Sequence, residues 1–206
     1  LYTCIVVVVA AVLFSIGIIV LGRIMDIFTY HVYMDHKFML PNRKECDKYM
    51  GGYAGRMLPE NMTCISIANP DMRQKNSEYG VDACDIMIKK MISIMQSVYS
   101  EIEEHFIGVN GLGQFLIFLR DTSYTQSMAY MQYVEAQVEN YNRTLITGEC
   151  PVSYKYGVAE SHKDSLYNIR ALLLKAVTKC TASPVFDGSS REEEKKEGEK
   201  TDKDIR

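Results

Sequence analysis

Few residues in this chain combine a reactive type with a useful spacing. His31 and Asp35 stand four positions apart, with His36 beside them, so a helix through this stretch puts an imidazole and a carboxylate on one face. That is the start of a metal site. Structural and catalytic centres take three or four protein ligands, however, and the plainer reading is a polar helix face. Glu101 and His105 are also four apart. A di-iron bundle needs Glu-x-x-His on two helices, yet the residue three after Glu101 is Glu104, and no second copy exists. Ser161, His162 and Asp164 are neighbours in sequence, which alone does not make a triad.

Phosphate loops, H-E-x-x-H and G-x-S-x-G are all missing from the sequence. The run Gly108 to Gly113 is rich in glycine, but no strand is expected before it, so it reads as a turn between helices. From these residues no catalytic group, no metal and no cofactor is expected, and the chain is not expected to be an enzyme.

The cysteines carry the remaining chemistry. Five of the six lie beyond the first segment: Cys46, Cys64, Cys84, Cys150 and Cys180. None forms a C-x-x-C pair, which removes zinc ribbons and thioredoxin-like motifs. Five such residues suit an oxidising compartment. Asn61-Met62-Thr63 and Asn142-Arg143-Thr144 are N-glycosylation acceptors and suit the same placement. In an up-down-up helical arrangement Cys84 meets Cys150, and Cys46 then pairs with Cys64 across a loop. Cys64–Cys180 is a rival pairing. Cys180 otherwise remains a free or intermolecular thiol.

The elements that would hold these residues begin with an anchor. Residues 1–22 contain no charge, and Ile5 to Phe14 is an unbroken apolar run. At about 1.5 Å per residue, 22 residues reach roughly 33 Å, enough for a hydrocarbon core of about 30 Å. A cleaved signal peptide is the competing reading, but it would have a basic start and a shorter apolar stretch. The sequence predicts a retained transmembrane helix with the body on the extracellular or luminal side, and a secreted body as the alternative.

Beyond the anchor, residues 23–79 read as a membrane-proximal helix followed by a shorter one over 44–58 and then a loop-rich segment from 59. Residues 80–186 read as a helical bundle. Val81, Cys84, Ile88, Met91, Met95, Val98, Ile102 and His105 step in threes and fours. A second helix is predicted over 114–146, with Asp121-Thr122-Ser123 as a kink or a fresh cap, and a third over 160–181. Residues 187–206 read as a disordered charged tail, because 191–206 holds seven acids, six bases and one apolar residue.

The expected fold is therefore mainly α: a transmembrane helix followed by an antiparallel helical-bundle ectodomain braced by disulfides. With 23 Lys and Arg against 26 Asp and Glu, a net charge of −3 argues against a dedicated nucleic-acid partner. The expected function is that of a non-catalytic, membrane-anchored helical glycoprotein. It contacts lipid through residues 1–22, binds another membrane or extracellular protein, serves as a subunit of a membrane complex, or forms an oligomer. Two alternatives are a carrier of a small apolar ligand in the bundle core, lined by Met and Ile of 87–102, and a fusion-type surface protein using residues 106–119.

Overall fold

The computed structural model describes residues 2–97, 105–111 and 113–188. Its first element is helix α1 (Tyr2–Tyr33), which passes the expected end at Gly22 without a break. Ala10–Tyr33 is long and apolar enough to cross a membrane, and none of its residues is buried. Two short strands follow, β1 (Met34–Asp35) and β2 (Leu40–Pro41), paired antiparallel around a tight turn. Asp35 Oδ1 accepts from the backbone N–H of Lys37 and Phe38, both at 2.9 Å. Its side chain therefore shapes the turn. Helix α2 (Arg43–Gly51) starts at Asn42, whose Oδ1 accepts from the N–H of Lys44 and Glu45.

The expected loop from residue 59 is in fact structured. Strand β3 (Thr63–Ala68) and helix α3 (Met72–Tyr79) occupy it, and Gly80 joins α3 to helix α4 (Val81–Ser97). Strands β4 (His105–Gly111) and β5 (Gln114–Leu119) form a hairpin, then helix α5 (Tyr124–Arg143), strand β6 (Lys155–Glu160) and helix α6 (Ile169–Ala182) complete the chain. The four longer strands make one antiparallel sheet in the order β4-β5-β3-β6. At its centre Ile65 faces Ile117 on one side and Val158 on the other.

The architecture is α/β, and the all-helical bundle is overturned. Gly108–Gly113, read as a helix–helix turn, belongs to the β4–β5 hairpin. Phe115–Leu119, read as helical, is a strand with no exposed residue. The predicted second helix begins only at Ser123, which caps α5 reciprocally with Gln126. The predicted third helix starts late, at Ile169: Glu160 closes strand β6 on β3, and 161–168 is turn and loop. Of the first predicted helix, Val81–Ser97 is helical, and Val98, Glu101 and Ile102 lie outside the described residues. Of the predicted tail, 189–206 also lies outside them.

Packing explains why the strands win. Strand β3 is buried on both faces: Ile65 and Ile67 join α4 and α5, whereas Cys64 joins α6. The α4 seam read from the sequence is buried as expected at Cys84, Ile88, Met91 and Met95, but it seats on a sheet. Met87, Met91 and Met95, expected to line an apolar-ligand void between helices, are fully buried in the cluster that packs on the sheet. On the opposite face α6 lies so close to β6 that a Cβ on Gly157 would run into Cys180 N, Ala176 O and Lys179 C. Gly108 plays the same part beneath α2, where a Cβ would meet Cys46 Sγ. Residues 79 and 80 lie between α3 and α4, and β3, ahead of them in the chain, is a central strand of the sheet.

Candidate functional site

A cleft of about 530 Å³ opens at one end of the sheet. Four parts of the fold converge on it: the β1–β2 turn, the start of α2, the α3–α4 pair, and the hairpin end of β4 and β5. Phe38, Met72, Val81, Ile88 and Val109 supply apolar wall. Asn76 on α3 and Asp85 on α4 are the polar groups of the helical side, with Lys37 and Arg43 opposite. Lys37 Nζ sits 2.7 Å from Asp85 Oδ1 and ties the turn to α4. Phe38 packs edge-on against Phe115, which fixes the turn to the sheet.

The cleft is bounded by backbone as well. Gly111 and Gly113 both hold positive φ at the hairpin end, conformations that favour glycine. Gly113 O accepts from Asn69 N–H at 2.9 Å, and a Cβ on Gly113 would stand 3.5 Å from Asn69 Cβ. The Asn69 side chain is 8% exposed, and neither its Oδ1 nor its Nδ2 has a hydrogen-bond partner. A buried amide left unpaired costs about 1–3 kcal/mol, and this one lies against Gly113, outside the residues that line the cleft. Lys75, the neighbour of Asn76, donates to Pro151 O and Ser153 Oγ and holds α3 to the chain before β6. Burial lowers its pKa, a shift partly opposed by the nearby Cys150 and Cys84 thiols.

The residues expected to carry chemistry fall elsewhere. Cys46, Cys64, Cys84, Cys150 and Cys180 are all buried free thiols, so the disulfide-braced body is overturned. Cys84 and Cys150 do meet, with their Sγ atoms hydrogen-bonded at 3.7 Å. Cys46 bonds weakly to Val109 O, and burial pushes its thiol up to about 12. Cys64 is also raised, chiefly by burial and then by the charge of Cys46, and Cys150 is raised to about 11, again first by burial. Cys180 Sγ donates to Lys155 O beneath α6.

Asn61 is exposed in a left-handed turn. Asn142 is committed: its Nδ2 donates to Val152 O and Asp187 O, and its Oδ1 accepts from Val152 N–H. Ser161, His162 and Asp164 form no triad. Ser161 Oγ is held between Met62 N and Pro59 O, and Asp164 pairs with Lys179 at 2.9 Å. His31 and His36 come together, without Asp35, whereas His105 opens β4 and Glu101 lies outside the described residues. Among the described residues no three His, Cys, Asp or Glu side chains converge as a metal site. Lys37, Arg43, Asn76 and Asp85, which line the cleft, carry no mutual spacing in the sequence that would have singled them out.

No protein-family model matches the chain, and no curated protein matches it. Solved structures do. The GGDEF domain of FimX from Pseudomonas aeruginosa superposes with a TM-score of 0.61 at 16% identity, over 73% of this chain and 93% of that one. The coiled coil and GGDEF domain of DgcB from Caulobacter crescentus, in complex with c-di-GMP, gives 0.66 at 14% identity, over 82% and 88%. Diguanylate cyclase SiaD from P. aeruginosa, in complex with its activator SiaC, gives 0.57 at 18% identity, over 82% and 64%. The fold is that of GGDEF domains.

This fold corrects the functional expectation. A non-catalytic helical glycoprotein ectodomain, a bundle-core carrier and a fusion protein all presuppose a bundle that does not exist. Residues 106–119 are a hairpin inside the sheet. The expectation that the chain is not an enzyme also falls, since proteins of this fold include diguanylate cyclases. The extracellular or secreted placement leaned on cystines, and the five cysteines are thiols. The string that names the neighbours, Gly-Gly-Asp-Glu-Phe, is not present in this sequence. The hairpin end reads Gly111-Leu112-Gly113-Gln114-Phe115 and offers an amide, with Gln114 Oε1 accepting from Asn110 Nδ2 at 3.0 Å.

Proposed function

We propose that this chain is a membrane-anchored domain that binds a guanine nucleotide in the cleft between the β1–β2 turn and the α3–α4 pair. The observation that carries the reading is that Asp85 and Asn76 both line one apolar-walled slot of about 530 Å³. A guanine base presents two adjacent donors, N1–H and N2–H, which suit a carboxylate, and acceptors at O6 and N7, which suit an amide N–H. The flat base fits between Phe38, Met72 and Ile88. Lys37 and Arg43, across the slot, suit the phosphates. A base entering the slot displaces Lys37 from Asp85 and frees it for that task. Support from the neighbours is that several of these GGDEF-fold structures hold c-di-GMP, a molecule with two guanine bases.

Helix α1 supplies the anchor. Its span of 24 residues reaches about 36 Å, longer than a bilayer core of about 30 Å, so its last turn, with Tyr30 and His31, extends beyond the core. Five reduced thiols and a nucleotide ligand both suit a body on the cytosolic side.

The test is calorimetry on the full chain in lipid nanodiscs with GTP, c-di-GMP and ATP. Either guanine ligand binds and ATP does not, and Asp85→Ala weakens binding at least tenfold, consistent with about 1.5–3 kcal/mol for a hydrogen bond to a charged group. Equal affinity for ATP, or no effect of the Asp85 change, refutes the reading. The same samples, analysed after incubation with GTP, report whether the bound nucleotide is converted.

A further inference from the structure

Apart from the cleft, the chain gathers a second set of donor atoms where α1 leaves its apolar span. His31 Nδ1 and His36 Nε2 approach to 3.1 Å, one from the helix and one from the β1–β2 turn. Both rings pack on Tyr30, with centroids 6.1 and 5.6 Å away. The Tyr30 hydroxyl in turn donates to Met39 Sδ at 3.1 Å. Met39 is 61% exposed and sits at φ 55, an uncommon conformation for a residue other than glycine. The turn thus holds an apolar side chain out in solvent, in one hollow with His36 and tied through Tyr30 to both imidazoles.

We propose that His31 and His36 chelate a copper(I) ion, with the Met39 thioether as the third ligand. Two nitrogens bound to one ion at roughly 2.0 Å, at tetrahedral to trigonal angles, lie about 3.3–3.5 Å apart, so the separation already suits the ion and the rings need only turn to aim both lone pairs at it. In the free state one nitrogen donates its proton to the other. On binding, the ion takes that position, and the proton moves to the outer nitrogen of the ring that held it, with no net release. The charge balance selects the ion. All three ligands are neutral, and Asp35, the nearby carboxylate, is engaged by the Lys37 and Phe38 N–H groups. Lys89 borders the same hollow as His36 and Met39, whereas Lys37 there is paired with Asp85. A monovalent ion meets less repulsion there than a divalent one, and thioether with imidazole suits copper(I) over zinc.

The full chain in nanodiscs, kept anaerobic with ascorbate, is titrated with copper(I) against bathocuproine disulfonate, with zinc(II) in a parallel arm. One tightly held equivalent of copper(I) is expected. His31→Ala with His36→Ala removes it, and Met39→Leu weakens it about tenfold while circular dichroism stays unchanged. The hydrogen-bonded Cys84 and Cys150 thiols are the competing copper ligands, so Cys84→Ser with Cys150→Ser must leave the equivalent in place. Absence of binding, survival in the double histidine variant, loss in the cysteine variant, or tighter retention of zinc(II) overturns the proposal. No effect of Met39→Leu removes the thioether from the ligand set.

Discussion

Substituting Gly157 by alanine puts the seating of α6 to the test. The added methyl carbon would meet Cys180 N, Ala176 O and Lys179 C, all backbone atoms of one helix. A flexible side-chain tip could swing away, but a helical backbone has to move as a body. Moving it loosens the layer formed by Leu172, Ala176 and Ala159. Overpacking of this kind costs typically 1–3 kcal/mol, and contact with backbone puts Gly157→Ala near the top of that range, about 3 kcal/mol. With a urea slope near 2 kcal/mol per molar, the midpoint falls by roughly 1.5 M. The sequence has 14 Tyr and no Trp, so tyrosine fluorescence or circular dichroism follows the transition. Gly51→Ala, at the end of α2 with nothing within 4 Å of the added carbon, is the control and shifts the midpoint little. A Gly157→Ala midpoint within 0.3 M of the parent would refute the packing of α6 on β6.

Three further outcomes follow from the same packing. Asp164 is partly buried, which raises its pKa, but the Glu160 N–H and the Lys179 ammonium more than offset this and hold it below the ordinary carboxylate range. A depressed pKa stabilises the fold above the unfolded-state value, and that stability is lost as pH falls through the folded-state value. Asp164→Asn therefore lowers stability by about 1–2 kcal/mol at pH 7 and flattens the acid limb of the stability–pH curve. An unchanged acid limb contradicts this assignment. The Cys46 thiol, raised from 9.0 to about 12, forms roughly a thousandfold less thiolate than a free cysteine. It is expected to react with a disulfide reagent only on unfolding, and a stoichiometric burst in the native chain speaks against its burial. Asn142→Ala breaks the ties to Val152 and Asp187 and costs about 1–3 kcal/mol, read as a lower denaturation midpoint.

The helices were legible in the sequence because each buries one stripe. Cys84, Ile88, Met91 and Met95 on α4, and Met131, Val134 and Val138 on α5, are buried as the three-four spacing implies. The strands were hidden by their own burial. Residues 63–67 of β3 are buried on both faces, so no alternation marks the strand, and Phe115–Leu119 is apolar throughout, which periodicity cannot tell from a buried helix. One local signal was present. Asn110-Gly111 between two apolar runs is a strong hairpin cue, and a helix was expected on both sides of it. With 108–113 taken as a turn and β5 as the start of a helix, the meeting of Cys84 with Cys150 still follows, though for the wrong topological reason. Sequence gives no sign of the cleft, because Lys37, Arg43, Asn76 and Asp85 are polar residues of ordinary type that only the packing of the β1–β2 turn, three helices and a hairpin brings to one place.

The most direct measurement compares GTP with inosine triphosphate, which lacks the exocyclic amino group of guanine. If the Asp85 carboxylate accepts from that group, the parent chain binds inosine triphosphate at least tenfold more weakly than GTP, and Asp85→Ala abolishes the difference. Equal binding of the two nucleotides by the parent chain, or a preference that survives in Asp85→Ala, contradicts the assignment of this cleft as a guanine site.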